Sequence, residues 1–433
     1  MRGRRSAAIA FTLIFLFDSL PARSDGPAEA LPEPLLYDYA LGLVDEAHPV
    51  LLQAEEAINA AAADLDAANS RNALNVTLQG RLRWIDPPST STLRDHHDHR
   101  LGLSASKRLW DFGRAQNGVS AAEQDLESRA WGLVEARTRK RLEIMERYFD
   151  VLLADLEFAR DEEAMAIAFI RSDRTRDRRE LGQASDIDLL KAESEYQASR
   201  QKRYASKSRQ RATRARFALA LNRPQRLSSA LVPPKLPEIE FKLPNLEKLQ
   251  KLAQERNSTL VALGAQLEAA RGRVASARAE YWPVVSAEAE TAVYSREFGS
   301  NDRWRAGLVL EAPLYQGGRV GAQVAKQRAL LQGLEAEYEE KRRQVQESVL
   351  EVWLELESLL VQKQERGAQA KYRELYLDRA RAAYEMELRS DLGDAMVELT
   401  DSNLQTARNH YQIALAWARL KALTRGEFED MQP

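Results

Sequence analysis

Three groups of side chains have the types and spacing to do chemistry. Asp95-His96-His97-Asp98-His99 gathers three of the five histidines of the chain. It offers imidazole and carboxylate ligands to a transition metal. Five consecutive residues do not converge easily on one ion, however, and a polar surface loop explains the run as well. Asp394 and Glu398 stand four residues apart and Asp401 a further turn along, so one helical face carries the carboxylates. Such a face either attracts cations or is simply solvated. His48 and His410 fall in helical patterns with no neighbouring nucleophile, and no G-x-S-x-G, phosphate-cradling or H-E-x-x-H arrangement is present. These residues point away from an enzyme and from a bound cofactor or resident metal.

The elements around them have unusual proportions. The chain has 433 residues, 30% of them charged, a formal net charge of −2 and no cysteine. Disulfides, thiolate metal sites and a lipidated N-terminal cysteine are thereby excluded. No basic surplus argues for nucleic acid. A mean hydropathy of −0.49 is too polar for a bundle of membrane helices. Pro and Gly number only 15 and 20, which implies long helices and few turns.

Arg2, Arg4 and Arg5 precede an apolar run from Ala7 to Phe17, then Pro21 and the small-residue site Ala22-Arg23-Ser24. That order describes a cleavable export signal over residues 1–24. The run is about half the roughly twenty residues that a spanning helix needs.

The remainder is a tandem duplication. Ala60-Ala61, Ala68 and Val76 recur as Ala269-Ala270, Ala277 and Val285, and Leu109-Trp110-Asp111-Phe112-Gly113-Arg114 aligns with Leu314-Tyr315-Gln316-Gly317-Gly318-Arg319. The expected organisation is a linker at 25–34, a first repeat at 35–223, a Pro-rich connection at 224–244, a second repeat at 245–426 and a tail at 427–433. Each repeat reads as helix, strand, strand and long helical hairpin.

The strands are expected at 74–85, 100–110, 284–294 and 303–314. Leu74, Val76, Leu78, Leu82 and Trp84 alternate with polar residues, as do Trp304, Ala306, Leu308 and Leu310; Lys107 interrupts the apolar face of the second strand. Ten or eleven alternating residues suit a tilted bilayer-spanning strand, and Trp84, Trp110, Trp282 and Trp304 sit where interfacial girdles lie. Arg81, Arg83, Glu288, Glu290, Arg303 and Arg305 on the polar faces suit a wet lumen better than a dry core.

Four strands cannot close a barrel, and lipid does not tolerate open edges, so several chains must contribute. Two chains would make a barrel filled by its own side chains; three give twelve strands and room for a passage.

The helices expected from Arg114 to about Glu180 and from Arg319 to about Glu387 would each run roughly 100 Å. Leu142, Met145, Phe149, Leu152 and Leu156, and likewise Val345, Val349, Val352, Leu356 and Leu359, have coiled-coil spacing. A periplasmic coiled-coil scaffold would account for these helices but not for four membrane-length strands.

From about Leu35 to Gly426 the chain resembles the TolC-like outer-membrane efflux family. The resemblance rests on the duplicated plan, on RLWDFGR (Arg108 to Arg114), on APLYQGGR (Ala312 to Arg319) and on RRELGQASDIDLL (Arg178 to Leu190). It implies a mainly α fold with a membrane β-barrel: a homotrimer whose twelve-stranded barrel continues into a long α-helical periplasmic barrel. It also implies contact with outer-membrane lipid, and a passive exit duct of a tripartite efflux or type I secretion system. That duct would dock on a periplasmic adaptor coupled to an inner-membrane transporter.

Leu181, Gly182 and Ser185 match the family's adaptor-contacting turn; Gly182 also reads as a helix C-cap and Ser185 as an N-cap. The second tip, at 387–393, lacks the early glycine. Under threefold symmetry Asp394, Glu398 and Asp401 would form acidic rings at the periplasmic aperture, with a spacing different from the family's. Gly113, Gly317 and Gly318 are expected to turn strand into helix through positive φ, with no role in phosphate binding.

Overall fold

The structure, a computed structural model, describes residues 31–45, 48–91, 93, 95–224, 230–236, 243–296, 301–386 and 391–426. The export signal expected at 1–24, the start of the expected linker, and the tail at 427–433 lie outside the described residues.

Each repeat begins with short helical segments. In the first these are α1 (Tyr37–Gly42), a 3-10 turn (Leu43–Asp45) and α2 (Pro49–Ser70). Strands β1 (Asn75–Arg81) and β2 (Arg100–Trp110) follow, then α3 (Arg114–Glu180) and α4 (Asp186–Ala220). The second repeat runs α5 (Leu246–Arg256), α6 (Ser258–Ala279), β3 (Val284–Tyr294), β4 (Trp304–Glu311), α7 (Arg319–Glu385) and α8 (Leu392–Thr424). Helices α3 and α7 have 67 residues each, about 100 Å at 1.5 Å per residue. Among the described residues no helix is long and apolar enough to cross a membrane.

The four strands form one antiparallel sheet in the order β1-β2-β3-β4. Register puts Leu78 opposite Leu103, Leu101 opposite Val293, and Ala287 opposite Leu308, so one face is apolar from edge to edge. The other face carries Arg81 opposite Arg100, and Glu290 opposite Arg305. Glu290 accepts ion pairs from both Arg100 and Arg305.

Two departures from strict alternation have local causes. The ladder of β1 ends at Arg81, and the chain returns to pairing only at an isolated bridge from Trp84 to His97. In β2 the register shifts between Arg108 and Trp110, and this bulge leaves Leu109 and Trp110 both exposed, at 51% and 61%. Lys107, which interrupts the apolar face opposite Ala287, lies one step from the bulge, where a long side chain can reach polar surroundings.

The long helices are held by two cores. One joins α1, α3 and α4, with Ile144, Met145, Tyr148, Phe149, Val151 and Phe217 buried, and Tyr411 of α8 stacked on Phe149. The other joins α5, α6, α7 and α8 through Leu249, Leu260, Val349, Leu356 and Leu420. The buried stripe on α3 is wider than a coiled-coil seam, because along its length the helix packs on α4, α6, α2 and α8, and on α1.

A belt crosses these helices. Leu35 pairs in parallel with Leu231: Leu35 N–H donates to Ala230 O at 2.9 Å and Val232 N–H to Leu35 O at 3.1 Å. Tyr148 ties the belt down, its hydroxyl 2.7 Å from Val232 O and 2.9 Å from Leu35 O.

Candidate functional site

The strand-to-helix turns show how the sequence aims the helices away from the sheet. Gly113 and Gly318 occupy the N-cap positions of α3 and α7 with φ of 80° and 79°, and Gly317 precedes Gly318 at 60°. A β-carbon is costly in this region of backbone space. Phe112 stands where the second repeat has Gly317 and adopts a φ of 55° all the same. Its ring stacks on Trp282 at 5.3 Å and meets Trp110 edge-on at 6.0 Å, contacts that offset the strain. Sequence reasoning named the glycines and missed Phe112, although the repeat alignment sets it opposite Gly317.

Asp111 is buried and accepts from Ala115 N–H at 2.9 Å, capping the first turn of α3, which Gly113 cannot do with a side chain. Glu280, at the end of α6, accepts from Arg114 at 3.0 Å and from Arg319 at 3.1 Å. One carboxylate thus joins the starts of both long helices.

At the far end, α3 closes in a Schellman motif. Gly182 has a φ of 72°, its N–H donates to Arg179 O at 3.0 Å, and Gln183 N–H donates to Arg178 O at 2.7 Å. Ser185 then begins α4 with a capping box shared with Asp188. Hydrogen bonds from Ser185 hold the Asp188 carboxyl below its usual range. The turn is therefore rigid, and it presents Leu181 at 72% exposure with Ile187 and Leu190 exposed beside it. Leu181, Gly182 and Ser185 come together in the single tight turn between α3 and α4.

Of the second tip, residues 387–390 lie outside the described residues. Asp391 precedes α8 and accepts from the Tyr376 hydroxyl at 3.3 Å; its charge pushes the Tyr376 phenol up. Each of the three carboxylates that follow holds an arginine from another helix. Asp394 receives Arg171 of α3 on both oxygens at 2.7 Å, Glu398 pairs with Arg373 of α7, and Asp401 receives Arg160 of α3 at 2.7 Å. Glu398 and Asp401 also border a polar chamber of about 560 Å³ between α3, α4, α7 and α8. Spacing identified the carboxylates but not these partners, which come from helices more than 20 residues away in sequence.

The histidine run packs as a loop. Trp84 stacks on His96 at 5.6 Å and meets His97 edge-on at 4.5 Å, and Arg83 pairs with Asp98. His96 Nδ1 lies 3.0 Å from Ile85 O, so that nitrogen donates. Among the described residues no group of three or more acidic, histidine or cysteine side chains is arranged to hold a metal.

The assembled features are a sheet with one apolar and one charged face, glycine turns, helices about 100 Å long and two tips. Known proteins share this arrangement. The chain superimposes on the Campylobacter jejuni CmeC outer membrane channel with a TM-score of 0.76 at 14% identity, covering 92% of this chain and 87% of that one. CusC, whose structures concern folding and transmembrane channel formation, gives 0.74 at 18%, covering 89% and 91%. The outer membrane protein VceC of Vibrio cholerae gives 0.73 at 16%, covering 89% and 95%. No curated protein sequence matches the chain. Residues 249–425 match the outer membrane efflux protein family. Residues 249–425, in the second repeat, thus match the outer membrane efflux protein family, and across both repeats the chain has the fold of solved outer-membrane channels.

Proposed function

We propose that three copies of the chain close a twelve-stranded barrel in the outer membrane and act, without catalysis, as the exit duct of a tripartite efflux or type I secretion system. A periplasmic adaptor docks at the tips and links the duct to an energised inner-membrane transporter. One observation carries the reading: the sheet has two open edges and an uncovered apolar face. Val293, Trp304, Leu308 and Leu310 on that face are 72%, 74%, 72% and 67% exposed in the single chain. No helix of the described residues packs on it. A soluble scaffold would bury such a face, whereas lipid covers it without cost once the edges are paired. Matches to solved outer-membrane channels over nine-tenths of the chain support the same reading.

Chemical cross-linking and native mass spectrometry of detergent-extracted protein should give a trimer that fractionates with the outer membrane. A monomer released by carbonate wash would overturn the proposal.

Gly182→Val tests docking. A β-branched side chain at a φ of 72° breaks the Schellman turn, and nothing lies within 4 Å of the new Cβ to complicate the effect. Trimer yield should be unchanged, while adaptor co-purification and export fall several-fold. Undiminished export would remove the tip from the docking surface.

For the proposed aperture, the arginine partners set the sign of the expected effect. Removing them with Arg171→Ala and Arg373→Ala should leave Asp394 and Glu398 uncompensated around the axis. Cation selectivity and block by divalent cations in planar bilayers should then rise. The double change Asp394→Ala with Glu398→Ala should lower both. Equal selectivity in all three proteins would return these carboxylates to an ordinary solvated face.

A further inference from the structure

A cavity lined by described residues lies away from the sheet, the tips and the acidic cluster. It encloses about 1040 Å³ between α3 and α8, under α1 and the belt segment 232–236. On α8 its wall runs from His410 to Ala422 and on α3 from Val134 to Met145. At 1.5 Å per residue these walls extend about 18 Å and about 16 Å, which makes the cavity a slot rather than a sphere.

Its floor is apolar, with Leu142, Met145, Ile413 and Trp417 among the lining residues. Its charge is one-sided: Arg137, Arg141, Lys235, Lys363, Lys421 and Arg425 line it against Asp38 and Asp45, among the described residues. Arg137 leans on Glu55 at 3.6 Å and Arg425 lies over the Trp131 ring at 4.7 Å. Arg141, Lys235 and Lys363 hold no ion pair among the described residues. Burial, aided by the Asp38 charge, pushes the Tyr37 phenol up to about 12, so it stays a neutral donor in the wall.

Long, apolar and cationic together define the class of ligand. A neutral hydrophobe would leave Arg141, Lys235 and Lys363 unanswered. An extended peptide would bring a row of backbone N–H groups, and the slot offers few acceptors for them beyond Asp38, Asp45, Thr138 and Ser258. An alkyl chain has no polar groups to satisfy, and a carboxylate at its end matches the guanidinium and ammonium groups. We infer that the α3–α8 slot binds a single-chain amphiphilic anion, such as a long-chain fatty acid, with the alkyl chain against Ile413 and Trp417 and the carboxylate at Arg141. This inference is independent of the duct reading, since the slot is complete within one chain.

The full chain in nanodiscs of zwitterionic lipid should be titrated with 12-doxyl-stearate, whose nitroxide quenches nearby tryptophan. Saturable quenching is expected, and it should disappear in Trp417→Phe, which retains the other six of the seven tryptophans. The methyl ester of the probe should bind about tenfold more weakly or worse, as loss of one charge-assisted contact implies. Arg141→Glu with Lys363→Glu should weaken binding similarly, and Ala414→Phe should fill the slot and abolish it.

Quenching that does not saturate, or that is unchanged in Trp417→Phe, would mean partition into the bilayer and would overturn the proposal. So would equal binding of the methyl ester, a comparison that needs no variant. Binding seen only after deletion of residues 427–433 would also overturn it, by making the acidic tail the natural occupant.

Discussion

Tyr148→Ala is expected to destabilise the helical part of the protein by about 3–5 kcal/mol, the range for truncating a buried aromatic. Tyr148 is fully buried, packs edge-on against Tyr37 at 5.4 Å and Phe217 at 5.6 Å, and holds the belt through Val232 O and Leu35 O. Removing it opens a cavity and releases the belt at once. Tyr148→Phe keeps the ring and should cost about 1–2 kcal/mol, because Leu35 O retains the Val232 N–H while Val232 O loses the hydroxyl. Melting followed by far-UV circular dichroism checks the order of the two, and proteolysis should cut the released belt in Tyr148→Ala first.

The same residue predicts an alkaline limit. Burial raises the Tyr148 phenol from 10.0 to about 12, and Tyr37 behaves alike. A pKa raised on folding means that the folded state favours the protonated phenol. Its contribution is fully present below pH 10 and is lost as pH rises toward about 12. Wild type should therefore lose stability over that interval faster than Tyr148→Phe does.

On the proposed duct reading, Gly393→Val should change conductance. The first turn of α8 lies so close to α3 that a β-carbon on Gly393 would stand 2.7 Å from Ile167 Cδ1 and 2.8 Å from its Cγ2. Ile167 is β-branched and cannot swing clear without moving its helix. The substitution should cost about 1–3 kcal/mol as overpacking. It should also lever the start of α8 off α3 and break the Arg171 to Asp394 pair. If the start of α8 lines the narrowest part of the duct, single-channel conductance in planar bilayers should rise several-fold. Arg171→Ala, which removes the ion pair without the wedge, should raise it less. Wild-type conductance in Gly393→Val would place the constriction elsewhere.

Much of this molecule was legible because its local rules are strong. Period-two alternation in Leu74–Trp84 and Trp304–Leu310 is incompatible with a helical face, and strands form there, although β1 covers only Asn75–Arg81 of the expected 74–85. The duplication showed that the plan is used twice. Glycines at 113, 182, 317 and 318 adopt the positive φ that ends one element and starts another, since other residues meet a steric cost in that region.

What the sequence left open concerns contacts between segments remote in the chain. The positive φ of Phe112 is offset by its aromatic contact with Trp282, which lies across the repeat. Arg160 and Arg171 reach Asp401 and Asp394 only because α3 packs against α8. The slot beneath the belt exists because Tyr148 fastens two distant stretches of chain over a groove that neither repeat specifies alone.

By itself, then, the sequence determined the types of element, the extent of the long helices and the glycine turns, which depend on neighbours within a few residues, but not where β1 and β4 end. Partners, pockets and the ion pairs of the acidic face waited for the tertiary structure, because electrostatic and packing energies depend on distance in space, and only the folded chain sets those distances.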